Sequence, residues 1–144
     1  MKRFWIIFAA IVELCVILLT VFVFDIGGKV KDVQIRSVQS DIFSDRDIAS
    51  AIRRVKCRFV FSWRGCTLKE IYYAGDDASL AELKYWEKGD DWEFDEVIVL
   101  NSAFEVDDSG GDGSLEPNGV YRNWKWILAR ESGGGWRILT WGYG

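Results

Sequence analysis

The sequence predicts an α+β domain carried behind an apolar N-terminal helix, and three observations carry that prediction. Residues 4–24, FWIIFAAIVELCVILLTVFVF, are apolar except for one acid and one threonine. Ser44, followed by Asp47, opens an amphipathic helical pattern. From Phe94 onward, three runs of strand character are separated by turn-forming stretches.

At the helical rise the first run would extend about 31 Å, enough to cross a hydrocarbon core. Lys2 and Arg3 precede it as in a signal peptide, but it is longer than a signal h-region and closes on Phe22, Val23, Phe24 and Asp25, not on small residues. Cys15 follows Val12, Glu13 and Leu14, which lack the small residues of a lipobox. Residues 1–24 are therefore expected to form an uncleaved, single-pass signal anchor in the cell membrane. Flanking basic residues nearly balance, Lys2 and Arg3 against Lys29, Lys31 and Arg36. The basic N-terminus favours a cytoplasmic N-terminus and an extracytoplasmic domain. Within the run, Ala9, Glu13, Val16 and Thr20 fall at helical spacing, a small and polar stripe on which another transmembrane helix could associate.

Residues 25–43 read as a juxtamembrane segment holding a first strand. Lys29 to Ser40 contains Val33, Ile35 and Val38 without clean alternation, so the strand is short or bulged. Residues 44–144 are long enough for one domain. Ser44 and Asp47 form a shortened capping box; Ile48, Ala51, Ile52, Val55 and Phe59 then mark one face of a helix from about Asp45 to Phe61. Arg46, Arg53, Arg54, Lys56 and Arg58 lie on its other side, and so does Cys57, which argues against a bridge to Cys66. Gly65 to Ala74 reads as a strand stopped by Gly75, Asp76 and Asp77, and Ser79 to Lys88 as a short helix. A charged tract, residues 89–93, leads to a strand from Phe94 to Val106 that is apolar on both faces. After a long turn, Asp107 to Gly119, the strand Tyr121 to Glu131 places Val120, Trp124, Trp126 and Leu128 at or near alternate positions. Trp136 to Tyr143 closes an antiparallel meander, with Trp136 and Ile138 set against Leu139, Trp141 and Tyr143.

This order of elements is that of a curved antiparallel sheet wrapping a long helix, and it resembles the cystatin-like or NTF2-like roll. More narrowly, GCTLKEIYYAGD at 65–76, SGGDGSLEPN at 109–118 and YRNWKWILARESGGGWRILTWGYG at 121–144 resemble an uncharacterised family of small secreted or membrane-tethered domains of Gram-positive bacteria. The resemblance covers about residues 44–144. It implies the fold and an extracytoplasmic location, and it transfers no catalytic residue.

Composition narrows the function. The chain has no histidine, which removes the usual general base and most zinc sites. Eight tryptophans and five tyrosines provide aromatic surface beyond what one core needs. Residues 29–74 hold ten basic and five acidic side chains, residues 75–116 two basic and fourteen acidic. An acidic domain is a poor nucleic-acid partner. Either the basic helix and the acidic middle neutralise each other internally, or the acids face a partner.

Asp108, Asp112 and Glu116 are the weak metal candidates, at positions 1, 5 and 9 of a calcium-like loop. Gly110 stands where a third-position acid belongs and Gly119 where the bidentate glutamate belongs, so no metal or cofactor is expected. Tyr72, Tyr73, Tyr121, Glu70 and Glu105 could line an NTF2-like pocket. Asp107, Asp108, Asp112, Trp124 and Trp126 are the candidate partner surface, together with Trp136 and Trp141 if they are exposed on the sheet face away from the helix. The leading expectation is a non-catalytic, membrane-tethered domain that binds a protein or peptide outside the cell, as a sensor or protective factor. The alternative is an NTF2-like small-molecule pocket, with or without catalysis.

Overall fold

A computed structural model describes residues 1–89 and 92–143, with side chains described at all of these except residues 2–3 and 21–26. The described residues form three helices and one mixed sheet: α1 (Lys2–Ile26), β1 (Gln34–Arg36), α2 (Asp45–Ser62), β2 (Cys66–Tyr73), α3 (Asp76–Trp86), β3 (Glu96–Val106), β4 (Val120–Arg130) and β5 (Arg137–Gly142). Among the described residues no helix is long and apolar enough to cross a membrane. The described side chains of α1 run from Phe4 to Thr20; Val21 to Phe24 of the apolar run, Asp25, Lys2 and Arg3 lie outside them, as do Asp90, Asp91 and Gly144.

The α+β class holds, with one departure from the expected antiparallel sheet. Strand order follows chain order, β1 to β5, and β2 through β5 form an antiparallel meander. β1 instead runs parallel to β2, pairing Gln34 with Glu70 and Ile35 with Ile71. A parallel neighbour needs a crossover, and α2 supplies it. Lys29 also pairs with Thr67, so the pairing is interrupted at residues 30–33 by a turn in which Asp32 adopts a positive φ of 58°. Of the short or bulged strand expected there, the short form is present, three residues long.

Helix α2 begins as its capping box requires. The Ser44 hydroxyl accepts from the Asp47 amide at 3.2 Å, and the Asp47 carboxylate accepts from the Ser44 amide at 3.2 Å. Ile48, Ala51, Ile52, Val55 and Phe59 are its buried face, as their spacing predicts. They pack on Leu68, Ile71, Ile98, Leu100, Phe104, Trp126 and Leu128 of the sheet. On the opposite face, Leu83, Trp92, Phe94 and Leu139 cover Val97, Ile127 and Ala129, which explains why β3 is apolar on both sides. Helix α3 starts at Asp76, three residues before the predicted Ser79; Asp76 and Asp77 occupy its first turn, where acids favour the positive end of the helix. The Ser79 hydroxyl, buried, accepts from the Val99 amide at 3.1 Å and fixes α3 on β3.

Both ends of α2 are fastened. At the C-terminal end Gly28 donates to the Phe59 and Val60 carbonyls at 3.2 and 3.1 Å, and a Cβ at Gly28 would stand 2.5 Å from Phe59. At the N-terminal end Arg130, nearly buried, reaches Asp47 at 2.7 Å and Glu96 at 2.5 Å while its guanidinium lies over the Trp136 ring. The Trp136 indole donates to the Asp47 carbonyl at 3.1 Å. Truncating Arg130 to Leu strands two acids at this joint. It should cost about 3 kcal/mol in chemical denaturation of the full-length chain in detergent, against a value near zero for Arg53→Leu on the solvent side of α2.

The Ser44 side chain, followed by Arg130, holds the Asp47 carboxyl below its usual range. A depressed carboxyl stabilises the fold above its unfolded pKa, near 4, and loses that contribution as pH falls through the folded value. The stability gap between the native chain and Asp47→Asn should therefore be full at pH 7 and narrow below about pH 4, as read from melting temperatures across that range.

Candidate functional site

The space between α2 and the sheet is filled with rings. Trp63 caps α2 and stacks on Phe59 at a centroid distance of 5.1 Å, with Phe104 at 5.0 Å, Trp126 at 5.3 Å and Trp124 at 5.6 Å around it. The Trp126 indole donates to the Ser102 hydroxyl at 2.9 Å, which in turn donates to the Trp124 carbonyl at 3.2 Å.

The tyrosines and acids considered for a pocket are dispersed and partnered. Tyr72 lies under Arg36, which also pairs with Glu70; Glu105 pairs with Lys69; Tyr121 stacks on Phe104 at 4.9 Å. Tyr73 and Asp76 do form a pair at 2.9 Å, and burial pushes the phenol's pKa up. Asp76, however, also accepts from the Ser40 hydroxyl at 2.6 Å and the Asp41 amide at 2.8 Å, so its oxygens are occupied in joining residues 40–41 to α3. Those bonds, Ser40 first, hold its pKa down.

The tryptophans expected as a partner surface turn inward. Trp126 is 0% exposed and Trp136 5%, while Trp124 is half-buried against Trp63, Phe104 and Tyr121. Alternation holds from Trp124 through Trp126 to Leu128, and that face is the helix side; two register shifts then bring further rings to it. Between Ser102 and Phe104 the β3–β4 ladder skips a residue near Asn123, which has φ 55°, so Tyr121 joins Trp124 on the helix side and Val120 is exposed. Between Ile127 and Leu128 the β4–β5 ladder skips Leu139, which brings Trp141 round to Trp63 and Trp126. Simple alternation had set Trp141 on the face of Leu139.

The acids of the long turn serve the turn itself. Asp107 accepts from the Ser109 amide at 2.9 Å and from its hydroxyl, and Asp112 does the same with Ser114 at 3.0 and 2.5 Å. The serine hydroxyls are the chief reason both carboxyls lie below their usual range. Asp107 also donates its amide to the Gly65 carbonyl, folding the turn over the end of α2. Asp108 and Glu116 are exposed, and among the described residues no group of three acidic, cysteine or histidine side chains could hold a metal. Beneath the turn is a recess of about 190 Å³ bordered by Trp63, Trp124 and Trp141, with Arg64, Asp112 and Ser114 at its polar side. Cys66 lies at its floor; burial, with Asp107 and Asp112 nearby, raises the thiol to about 11, so it is inert at neutral pH. Cys57 is exposed on α2, and both cysteines are free.

No ion pair joins the basic residues of α2 to the acidic turn among the described residues. Arg58 instead lies over Trp141 at 5.2 Å. A wider, open groove of about 410 Å³ lies between the β1 segment and α2, bordered by Val30, Ile35, Ala49, Ile52, Arg53 and Lys56. Sequence reading missed it. The only signal was a second apolar row on α2, Ala49, Ile52 and Val60, beside the core row.

On α1, Ala9, Glu13 and Thr20 share one exposed side; the Thr20 hydroxyl donates to the Ile17 carbonyl at 2.8 Å within its own helix. No family model, curated protein or solved structure matches this chain.

Because Asp107 and Asp112 each bond a serine of the turn and no group of metal-ligating side chains gathers among the described residues, millimolar calcium should leave the melting temperature of the full-length chain unchanged. A rise that Asp108→Asn and Asp112→Asn together abolish would place a metal in the turn.

Proposed function

We propose that this chain is a non-catalytic, single-pass membrane protein whose cystatin-like or NTF2-like domain binds a protein or peptide at the outer face of the cell membrane, as a sensor or protective factor. The observation that carries the reading is the contrast between its two parts. Every described side chain of α1 from Phe4 to Thr20 is exposed, Phe4 at 68% and Leu19 at 64%, whereas the domain gathers Phe43, Phe59, Trp63, Tyr73, Phe104 and Trp126 into a buried core. So large an apolar surface in water needs a cover, and a lipid bilayer is the one that the composition of residues 4–24 suits. Among the described residues the recess under the long turn is small, about 190 Å³, and the wider groove beside β1 is open, which supports a macromolecular partner over an enclosed small molecule.

Full-length protein should remain in the membrane pellet after carbonate washing with its mass intact, and protease added to intact cells should reach the domain. Recovery of a soluble chain beginning near Asp25 would identify a cleaved signal peptide, and full protection would reverse the orientation. Glu13 offers a handle on the membrane partner: Glu13→Leu should reduce crosslinked oligomers in membranes, since the stripe of Ala9, Glu13 and Thr20 would lose its strongest hydrogen-bonding group. Unchanged crosslinking would leave that stripe without an associative role.

A further inference from the structure

We propose that the groove between β1 and α2 docks an extended peptide that adds to the sheet along the free edge of β1 and turns both apolar and acidic side chains, at every second position, toward α2. The inference rests on the protein- or peptide-binding reading and names the site and chemistry of that partner.

Three features of the groove converge. First, β1 ends the sheet: Gln34–Arg36 pair with Glu70–Tyr72 on one side, and among the described residues nothing pairs the other. Its amides and carbonyls are a template for another strand. Sheet edges are commonly protected by a charge directed across them or by proline. Here Arg36 is drawn away to Glu70 and the Tyr72 ring, and the chain's single proline is Pro117.

Second, the slot beside that edge is apolar and half filled. Ile35 pairs with the fully buried Ile71, so it borders the groove on the helix side, yet it remains 57% exposed. Across from it Ala49, Arg53, Lys56 and Val60 follow one another at helical spacing along α2, beside the row that packs the core. The small side chain of Ala49 and the edge of Ile52 leave depth for an apolar side chain. From Ala49 to Val60 the helix rises about 16 Å, the length of roughly five extended residues.

Third, the charge is of one sign. Arg53 and Lys56 line the groove, no acid does, and neither cation is in an ion pair among the described residues. A lipid headgroup would satisfy these cations but not the backbone of β1, and a small anion would leave the apolar slot empty. Because successive side chains of a strand point to opposite faces, a strand whose helix-facing positions, every second residue, carry both apolar and acidic side chains meets all three demands.

The test is selection of random octapeptides on the full-length chain in nanodiscs of neutral lipid. Enriched sequences should carry apolar and acidic residues two positions apart, on one face of the strand, and Arg53→Glu with Lys56→Glu should weaken their binding by about tenfold or more without moving the melting temperature. N-methylation of alternate peptide amides should abolish binding in one phase of the alternation and spare it in the other, which electrostatic attraction alone would not produce. Selected peptides that bind the charge-reversed chain equally, and lose affinity on Asp107→Asn with Asp108→Asn, would overturn the groove while leaving peptide binding intact. Failure to enrich any peptide over empty nanodiscs would overturn both. Crosslinking from position 35 to a second copy of the chain, or binding seen only with anionic nanodiscs, would replace the peptide with self-association or lipid.

Discussion

The carboxylate of Asp47 is the point on which the arrangement depends, because it joins a local helix signal to a long-range pairing. Within α2 it completes the capping box with Ser44, and across the molecule it holds Arg130 of β4, which also holds Glu96 of β3. Capping motifs are normally solvent-facing and contribute about 1 kcal/mol. Here the cap is coupled to a nearly buried guanidinium with an indole beneath it, so the start of α2 cannot shift along the sheet without leaving charges unpaired. At the other end Gly28 and Trp63 do the same by contact, one through backbone bonds and one through ring packing. A helix fixed at both ends sets the width of the groove beside β1 and the place where the chain leaves α1.

The same packing decides where function can reside. Rings from α2, β3, β4 and β5 meet around Trp63, and polar atoms within that layer, such as the Ser102 hydroxyl and the Trp126 indole, bond to each other. The Trp124 indole N–H, beside the recess under the turn, is the exception in that layer, buried without a partner among the described residues. Chemistry is left to the surface, where the charges of the chain stay apart: the acidic turn bonds to its own serines, while Arg53 and Lys56 border an apolar slot. Internal neutralisation of helix by turn, the simpler expectation from charge counts, finds no ion pair among the described residues.

Much of the architecture was legible because its signals are short in range. Helix α2 follows from a cap and an apolar row, and β3 from a run apolar at consecutive positions. The meander follows from glycine turns between alternating strands. Site reading fared worse for a definite reason. Alternation assigns faces only while the ladder is unbroken, and shifts at Leu68/Glu70, Ser102/Phe104 and Ile127/Leu128 each move a side chain to the other face. Trp141, which alternation grouped with Leu139, was thereby moved to the face of Trp126, where it stays 40% exposed.

The sequence by itself determined the elements, the buried row of α2, the apolar character of residues 4–24 and the absence of histidine chemistry, since each depends on neighbours within a few turns or on composition alone. Tertiary structure alone decided that β1 pairs in parallel, that the tryptophans converge on Trp63, and that Ile35 and Ala49 border a common groove. Those outcomes depend on which strand edge is free and on where a ladder slips. Both are settled by closing the core around large rings between distant segments, an energy that no local pattern records.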